Sequence, residues 1–178
     1  MGCKMERYSK YSFAYLAYLA NQAKSSKRLR KHKNIHLVYE DPCQRLINAI
    51  DINSYIQPHR HSLDPKAETL VALQGLFSLL IFNEAGMVIE NTIFGTELYH
   101  SLDINIFVEI SAYTWHTVIA LKPCSVLLEI KSGPFNPCAS KELASWAPLE
   151  QAEEAGIYFE ELKRIASNED LSASSDIK

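Results

Sequence analysis

The chain has 178 residues, 47% of them hydrophobic, and a formal net charge of −3. That length suits one domain with a core of ordinary size. The mild acidity offers no global positive charge to a nucleic-acid backbone, and no uncharged apolar run reaches the roughly 18–20 residues that cross a bilayer.

The first residues, Met1-Gly2-Cys3-Lys4-Met5-Glu6, and the tyrosine-broken stretch after them do not read as a signal peptide. Residues 8–23 carry Tyr11, Ala14, Tyr15, Tyr18 and Leu19 at helical spacing without Gly or Pro, which predicts an amphipathic helix. Residues 24–33 hold six Lys and Arg side chains and read as a solvated basic linker. A nucleic-acid role for that run is set aside, because it lacks interleaved aromatics.

From residue 35 onward the texture becomes short β-rich runs, at 54–58, 70–73, 77–82, 88–93, 104–110, 117–121 and 126–130. Pro65, Gly75, Gly86, Gly95 and Pro123 punctuate them, which predicts an antiparallel sandwich or barrel rather than βαβ units. Residues 149–166 have the composition of a helix, and the tail beyond them is polar. The four cysteines, at 3, 43, 124 and 138, show no Cys-x-x-Cys spacing and are expected as reduced thiols in the cytoplasm.

The chemistry concentrates in Gln57-Pro58-His59-Arg60-His61, followed by Glu68 and Gly75. In a strand, residues i and i+2 share a face, so His59 and His61 aim one way and Arg60 the other. A short turn would return Glu68 beside them, so that one hairpin supplies three ligands. Neutral imidazoles and a carboxylate suit one divalent metal ion, with zinc, iron, nickel and manganese all compatible. His116, at the head of the apolar run from Trp115, is the candidate fourth ligand. Gln57 shares the histidine face and could meet a metal-bound water or a substrate hydroxyl, or could be a polar residue at a sheet edge.

The two histidines one residue apart, the following glutamate and the glycine seven residues beyond it resemble the first motif of the cupin superfamily. The interval from His61 to Glu68 is longer than that family's usual one. Its second motif places Pro-x-Gly-x-x before the last histidine, where this chain reads Ser111-Ala112-Tyr113-Thr114-Trp115. Tyr113 would then occupy a left-handed turn normally given to glycine, at a cost of about 1 kcal/mol, or else the loop bends differently.

Within the cupins the chain is similar to the WbuC-type proteins. The likeness rests on Arg28-Leu29-Arg30, Asn34-Ile35-His36, Asp41-Pro42-Cys43-Gln44-Arg45, Tyr55 to His61, Trp115-His116-Thr117, Lys131-Ser132-Gly133-Pro134-Phe135 and Trp146-Ala147-Pro148-Leu149-Glu150.

The resemblance implies an all-β core, the cupin double-stranded β-helix or jelly-roll barrel, over 35–150. A helix and basic linker over 1–34 would precede it, and a short helix with a polar tail over 151–178 would follow. It implies a metal centre of His59, His61, Glu68 and His116. It also makes Arg28, Arg30, His36, Gln44 and Arg45, with Gln57 and Tyr113, candidates for binding a small anionic or sugar-like ligand, since guanidinium groups capture carboxylate or phosphate. The competing reading leaves the arginines in solvent and His36 and Arg45 on local backbone.

Two functions follow from these residues. One is a mononuclear metalloenzyme acting on a small polar substrate, such as a sugar or sugar nucleotide of surface-polysaccharide metabolism. The other is a non-catalytic metal-dependent binding or sensor module. A homodimer is the preferred assembly, because the N-terminal helix offers an apolar surface.

Overall fold

A computed structural model describes residues 8–102 and 104–167. The first seven residues and the polar tail after 167 lie outside the described residues. Helix α1 (Phe13–Lys24) begins later than its apolar pattern, where the Ser12 side chain accepts a hydrogen bond from the Tyr15 N–H at 3.2 Å. A capped N-terminus of this kind satisfies an amide that the helix itself leaves unpaired.

Ten strands follow: β1 (Arg30–Asn34), β2 (Cys43–Ile50), β3 (His59–Arg60), β4 (Glu68–Gln74), β5 (Leu76–Phe82), β6 (Val88–Gly95), β7 (Phe107–Ile110), β8 (Trp115–Ala120), β9 (Ser125–Ser132) and β10 (Glu142–Leu143). Helix α2 (Ala155–Ala166) closes the described chain. The strands form two antiparallel five-stranded sheets, in the orders β1-β2-β9-β4-β7 and β10-β3-β8-β5-β6. Apart from β1-β2 and β5-β6, neighbours in each sheet come from distant parts of the chain, the pattern of a jelly roll.

Alternation along the strands sorts side chains into three apolar layers. Ile50, Leu70, Phe77, Leu79, Phe94, Ile110, Val118, Ala120 and Leu127 fill the space between the sheets. Leu16, Leu19, Ala20 and Ala23 of α1 pack on Ile47, Ala49 and Val126, on the outside of the first sheet. Phe159, Leu162 and Ala166 of α2 cover Leu80, Phe82 and Ile119, on the outside of the second. Each fully buried Leu, Ile or Phe contributes roughly 1.5–3 kcal/mol, so both helices are fastened to the sandwich by their apolar stripes.

Several elements differ from expectation. Residues 30–34, inside the basic run, form β1 and pair with β2. Strand β2 was not foreseen, because Gln44, Arg45 and Asn48 break its apolar pattern. Residues 54–58 are unpaired, and only His59–Arg60 joins a sheet there. The chain then crosses between sheets: β3 pairs with β8 and β10, whereas β4 pairs with β7 and β9. The expected hairpin joining the histidines to Glu68 does not form, and the two halves of the motif face each other across the sandwich.

Gly75, between β4 and β5, has φ +87°, and a Cβ there would fall 2.8 Å from the Ser125 Cα. Only glycine fits that turn. Tyr113 does take the left-handed conformation, with φ +68°. Its N–H donates to the His61 carbonyl at 3.2 Å, which ties the atypical loop to the histidine segment.

Candidate metal centre

Strand pairing sets His59 directly opposite His116. The ligand nitrogens of His59, His61 and His116 all lie within 4.8 Å of one another. Donors about 2.0–2.1 Å from a common ion stand roughly 3–4 Å apart, so side-chain shifts of about half an ångström would close this set on a metal. Glu68 reaches the cluster from the opposite sheet, its Oε2 2.7 Å from His61 Nε2. All four side chains are buried. Arg60 points the other way, as alternation requires, and lies over the Trp115 ring with its carbon 4.3 Å from the centroid.

Each imidazole is oriented through Nδ1 by a backbone carbonyl: Gln57 O for His59 at 3.0 Å, Ser140 O for His61 at 2.7 Å and Thr114 O for His116 at 2.8 Å. A proton on Nδ1 that donates to a carbonyl leaves Nε2 with its lone pair, the tautomer a metal takes. At His61 both ring nitrogens face acceptors, Ser140 O and the Glu68 carboxylate. A neutral ring carries one N–H and can satisfy only one of them. The other contact calls for a cation, either a second proton or a metal ion, and the donor set fits a divalent ion.

Burial pushes the His59 pKa well below its ordinary value, with His116 and Lys141 adding to the effect. His116 is lowered as well, again chiefly by burial. Glu68 shows the opposite balance. Burial raises its pKa, but Lys131 and the hydrogen bond with His61 outweigh that and hold the carboxyl well below the usual range. At His59 and His116 the site therefore offers neutral imidazoles, beside an ionised carboxylate, at neutral pH.

A stability profile follows from these shifts. The unfolded chain takes up protons on His59 and His116 near pH 6.5, and the folded site refuses them, so the metal-free protein is expected to lose stability as pH falls below that value. Each histidine contributes up to about 1.4 kcal/mol per pH unit there. The contribution of Glu68 goes later, below roughly pH 4.3. Urea unfolding between pH 8 and pH 4 measures this, and a flat profile between pH 7.5 and 5.5 would contradict it.

The cluster lines a cavity of about 630 Å³ between the sheets, which is the size of a small-molecule site. Ile50, Ile56, Leu70, Val118 and Leu127 provide apolar wall. Four of the other predicted residues also line it: Arg28, Arg30, His36 and Gln44. Their polar atoms are largely engaged. Arg28 makes a two-point pair with Glu150 at 2.9 Å, and Arg30 donates to the same carboxylate and to the Tyr55 carbonyl. His36 Nδ1 accepts from the Arg45 N–H at 3.0 Å, and the Gln44 amide donates to the Tyr39 and Asp41 carbonyls.

The remaining three lie off the cavity. Arg45 pairs with Asp41 at 3.0 Å, and Tyr113 stands exposed on its turn. The Gln57 side chain donates to the Ala144 and Ala147 carbonyls, holding the C-terminal segment, while its own carbonyl orients His59.

Sequence reasoning missed Glu129, Lys131 and Lys141, all of which line the cavity. Lys131 lies 2.6 Å from Glu129 and 3.5 Å from Glu68, and Asn48 donates to Glu129 at 2.7 Å. The signal for the first two was present: charges at 129 and 131 share the inward face of β9 with buried Leu127. Lys141 follows Ser140 in a loop-like phrase and carries no such mark.

A family model described as a domain of unknown function, DUF6016, matches residues 12–94, rather less than half of the chain. No curated protein matches it. Among solved structures the chain is similar to a protein from Shewanella oneidensis, at 9% identity over 76% of this chain and 83% of that one, with a TM-score of 0.50. It is similar to a cupin-2 domain protein from Rhodospirillum rubrum, at 10% identity over 77% and 80%, with a TM-score of 0.48. A cupin 2 conserved barrel domain protein from Rhodopseudomonas palustris gives 14% identity over 78% and 77%, with a TM-score of 0.46. At such identities the likeness is one of fold. The two facing sheets and flanking helices form a jelly roll. Among the described residues no helix is long and apolar enough to cross a membrane.

Proposed function

We propose that this chain is a mononuclear metal-binding cupin that uses His59, His61, Glu68 and His116 to hold one divalent ion, zinc, iron, nickel or manganese, and binds a small polar molecule beside it. The observation that carries the reading is the set of three imidazoles with Nδ1 tied to carbonyls and Nε2 turned to a common point beside an ionised carboxylate. Such an ion would supply Lewis-acid polarisation of a bound carbonyl or hydroxyl. The chain's own contribution is a walled cavity that positions the ligand.

The WbuC-type phrases make a sugar or sugar nucleotide of surface-polysaccharide metabolism the first substrate class to try. Free thiols at Cys43, Cys124 and Cys138 suit the reducing cytoplasm, and the exposed Phe13 and Tyr18 of α1 suit a homodimer. A second reading, a binding or sensor module without turnover, is favoured by one observation: Arg28, Arg30, Glu129 and Lys131 direct their charges at one another, at Glu150 or at Glu68 and so are already engaged. Recovery of the ligand unchanged after long incubation with metal-loaded protein would support that second reading.

Elemental analysis of the purified protein is expected to find about one divalent metal per chain, in a species that sediments as a dimer. Chelation is expected to lower the melting temperature by several degrees, since each kcal/mol of lost binding is worth roughly 2–4 °C at this size. Metal far below one equivalent, with no thermal response to any of the four ions, would remove the reading.

A further inference from the structure

Five basic side chains line the cavity: Arg28, Arg30, Lys31, Lys131 and Lys141. Arg28 and Arg30 share Glu150, Lys131 holds Glu129 and Glu68, and Lys31 is exposed on β1. Lys141 is partly buried, yet among the described residues it makes no hydrogen bond and no ion pair. Glu68 and Glu129 are the carboxylates of the lining, and Glu150 stands just behind the arginines. Two positive charges therefore remain uncompensated in the lining, in a chain whose net charge is −3. A divalent ion would double that excess.

Lys141 is also held in place. The carbonyl of Ser140, just before it, orients His61 at 2.7 Å. The carboxylate of Glu142, just after it, accepts from Arg60 at 2.9 Å and 3.1 Å and from the Ser62 hydroxyl. β10 begins at Glu142 and pairs with the strand that carries His59. The ammonium thus enters the cavity from a segment fixed on both sides to the metal motif. Burial, then Arg30, push its pKa down, and Glu150 answers only in part. A desolvated cation without a partner is costly until an anion arrives.

We propose that Lys141 anchors a carboxylate group of the molecule that occupies this cavity, which makes the ligand an organic carboxylate bound between the Lys141 ammonium and the imidazole cluster. A phosphate dianion presents three strong acceptor oxygens, and a single ammonium with no free arginine fork beside it leaves most of them without a donor. Both forks at this mouth are taken by Glu150. One point charge matches a carboxylate, and the apolar wall accommodates the rest of the molecule. The proposal rests on the reading of the cavity as a ligand site beside a metal.

The test is calorimetric titration of the cobalt(II)-loaded protein with acetate, glycolate and glucuronate. Glycolamide, glucose and inorganic phosphate serve as matched probes, and metal content and the cobalt spectrum are recorded on each sample. At least one carboxylate is expected to bind more tightly than its neutral counterpart and than phosphate. Lys141→Met is expected to weaken that binding tenfold or more at unchanged cobalt content, as fits the loss of one charge-assisted hydrogen bond, while Lys141→Arg retains part of it. Equal binding by Lys141→Met, a preference for phosphate, or no binding by any of the three carboxylates overturns the proposal. Failure to load cobalt would instead count against the metal centre, and the same titrations on metal-free protein then read the Lys141 dependence alone.

Discussion

The variant carrying His59→Ala and His61→Ala is expected to lose its metal entirely while keeping the β-rich circular-dichroism spectrum of the parent. The two substitutions remove two of the three oriented imidazoles, and His116 with Glu68 cannot complete a tetrahedral set. The fold should survive because the histidines border an open cavity. The residues that close the core, Phe77, Phe94, Leu79 and Leu127, lie in the layer between the sheets and are untouched. Thermal unfolding with and without added zinc separates the two effects. At a zinc concentration a thousandfold above Kd the parent gains about 4 kcal/mol, and the variant should gain none. Stoichiometric metal in the double variant would refute the ligand assignment.

Lys131→Met is expected to destabilise the metal-free protein by about 3–5 kcal/mol, the usual range when one member of a buried ion pair is removed. Lys131 is shielded from solvent and lies between two carboxylates, Glu129 at 2.6 Å and Glu68 at 3.5 Å. Burial alone would push the lysine pKa down, but Glu129 and Glu68 reverse this and raise it. Without the ammonium, Glu68 keeps only the imidazoles and Glu129 only Asn48. Two further readings give the result its meaning. The gap between variant and parent should narrow as pH falls and Glu68 takes up a proton. It should also shrink on metal loading, because a divalent ion beside Glu68 replaces part of the lost charge. Equal stability of parent and variant in urea at pH 7 would mean that Lys131 is not what keeps Glu68 ionised.

The shared face of His59 and His61 was legible because its information is local. Strand period alone places His59 and His61 on one face and Arg60 on the other, and the structure keeps that division. The left-handed turn at Tyr113 was one of two outcomes left open by the resemblance to the cupin motif, the other being a loop that bends differently, and the structure takes the turn although tyrosine disfavours it. The interior runs around Phe77 and Val118 announce themselves as nearly continuous apolar stretches, which depend only on neighbours in the chain.

What could not be read is everything set by partners far apart. The chain's crossing from one sheet to the other between His61 and Glu68 is a matter of strand pairing, with β4 lying between β7 and β9, and no local pattern encodes it. The basic run reads as linker because its charges outnumber its apolar residues, yet β1 forms there once β2 offers an edge and Glu150, about 120 positions away, receives both arginines. Lys141 is the extreme case. Its neighbours in sequence are unremarkable, and its place beside the imidazoles exists only because Ser140 and Glu142 are fastened to the histidine strand. Alternation is a property of consecutive residues, whereas a charge in a cavity acquires its meaning from the side chains that three-dimensional packing sets around it.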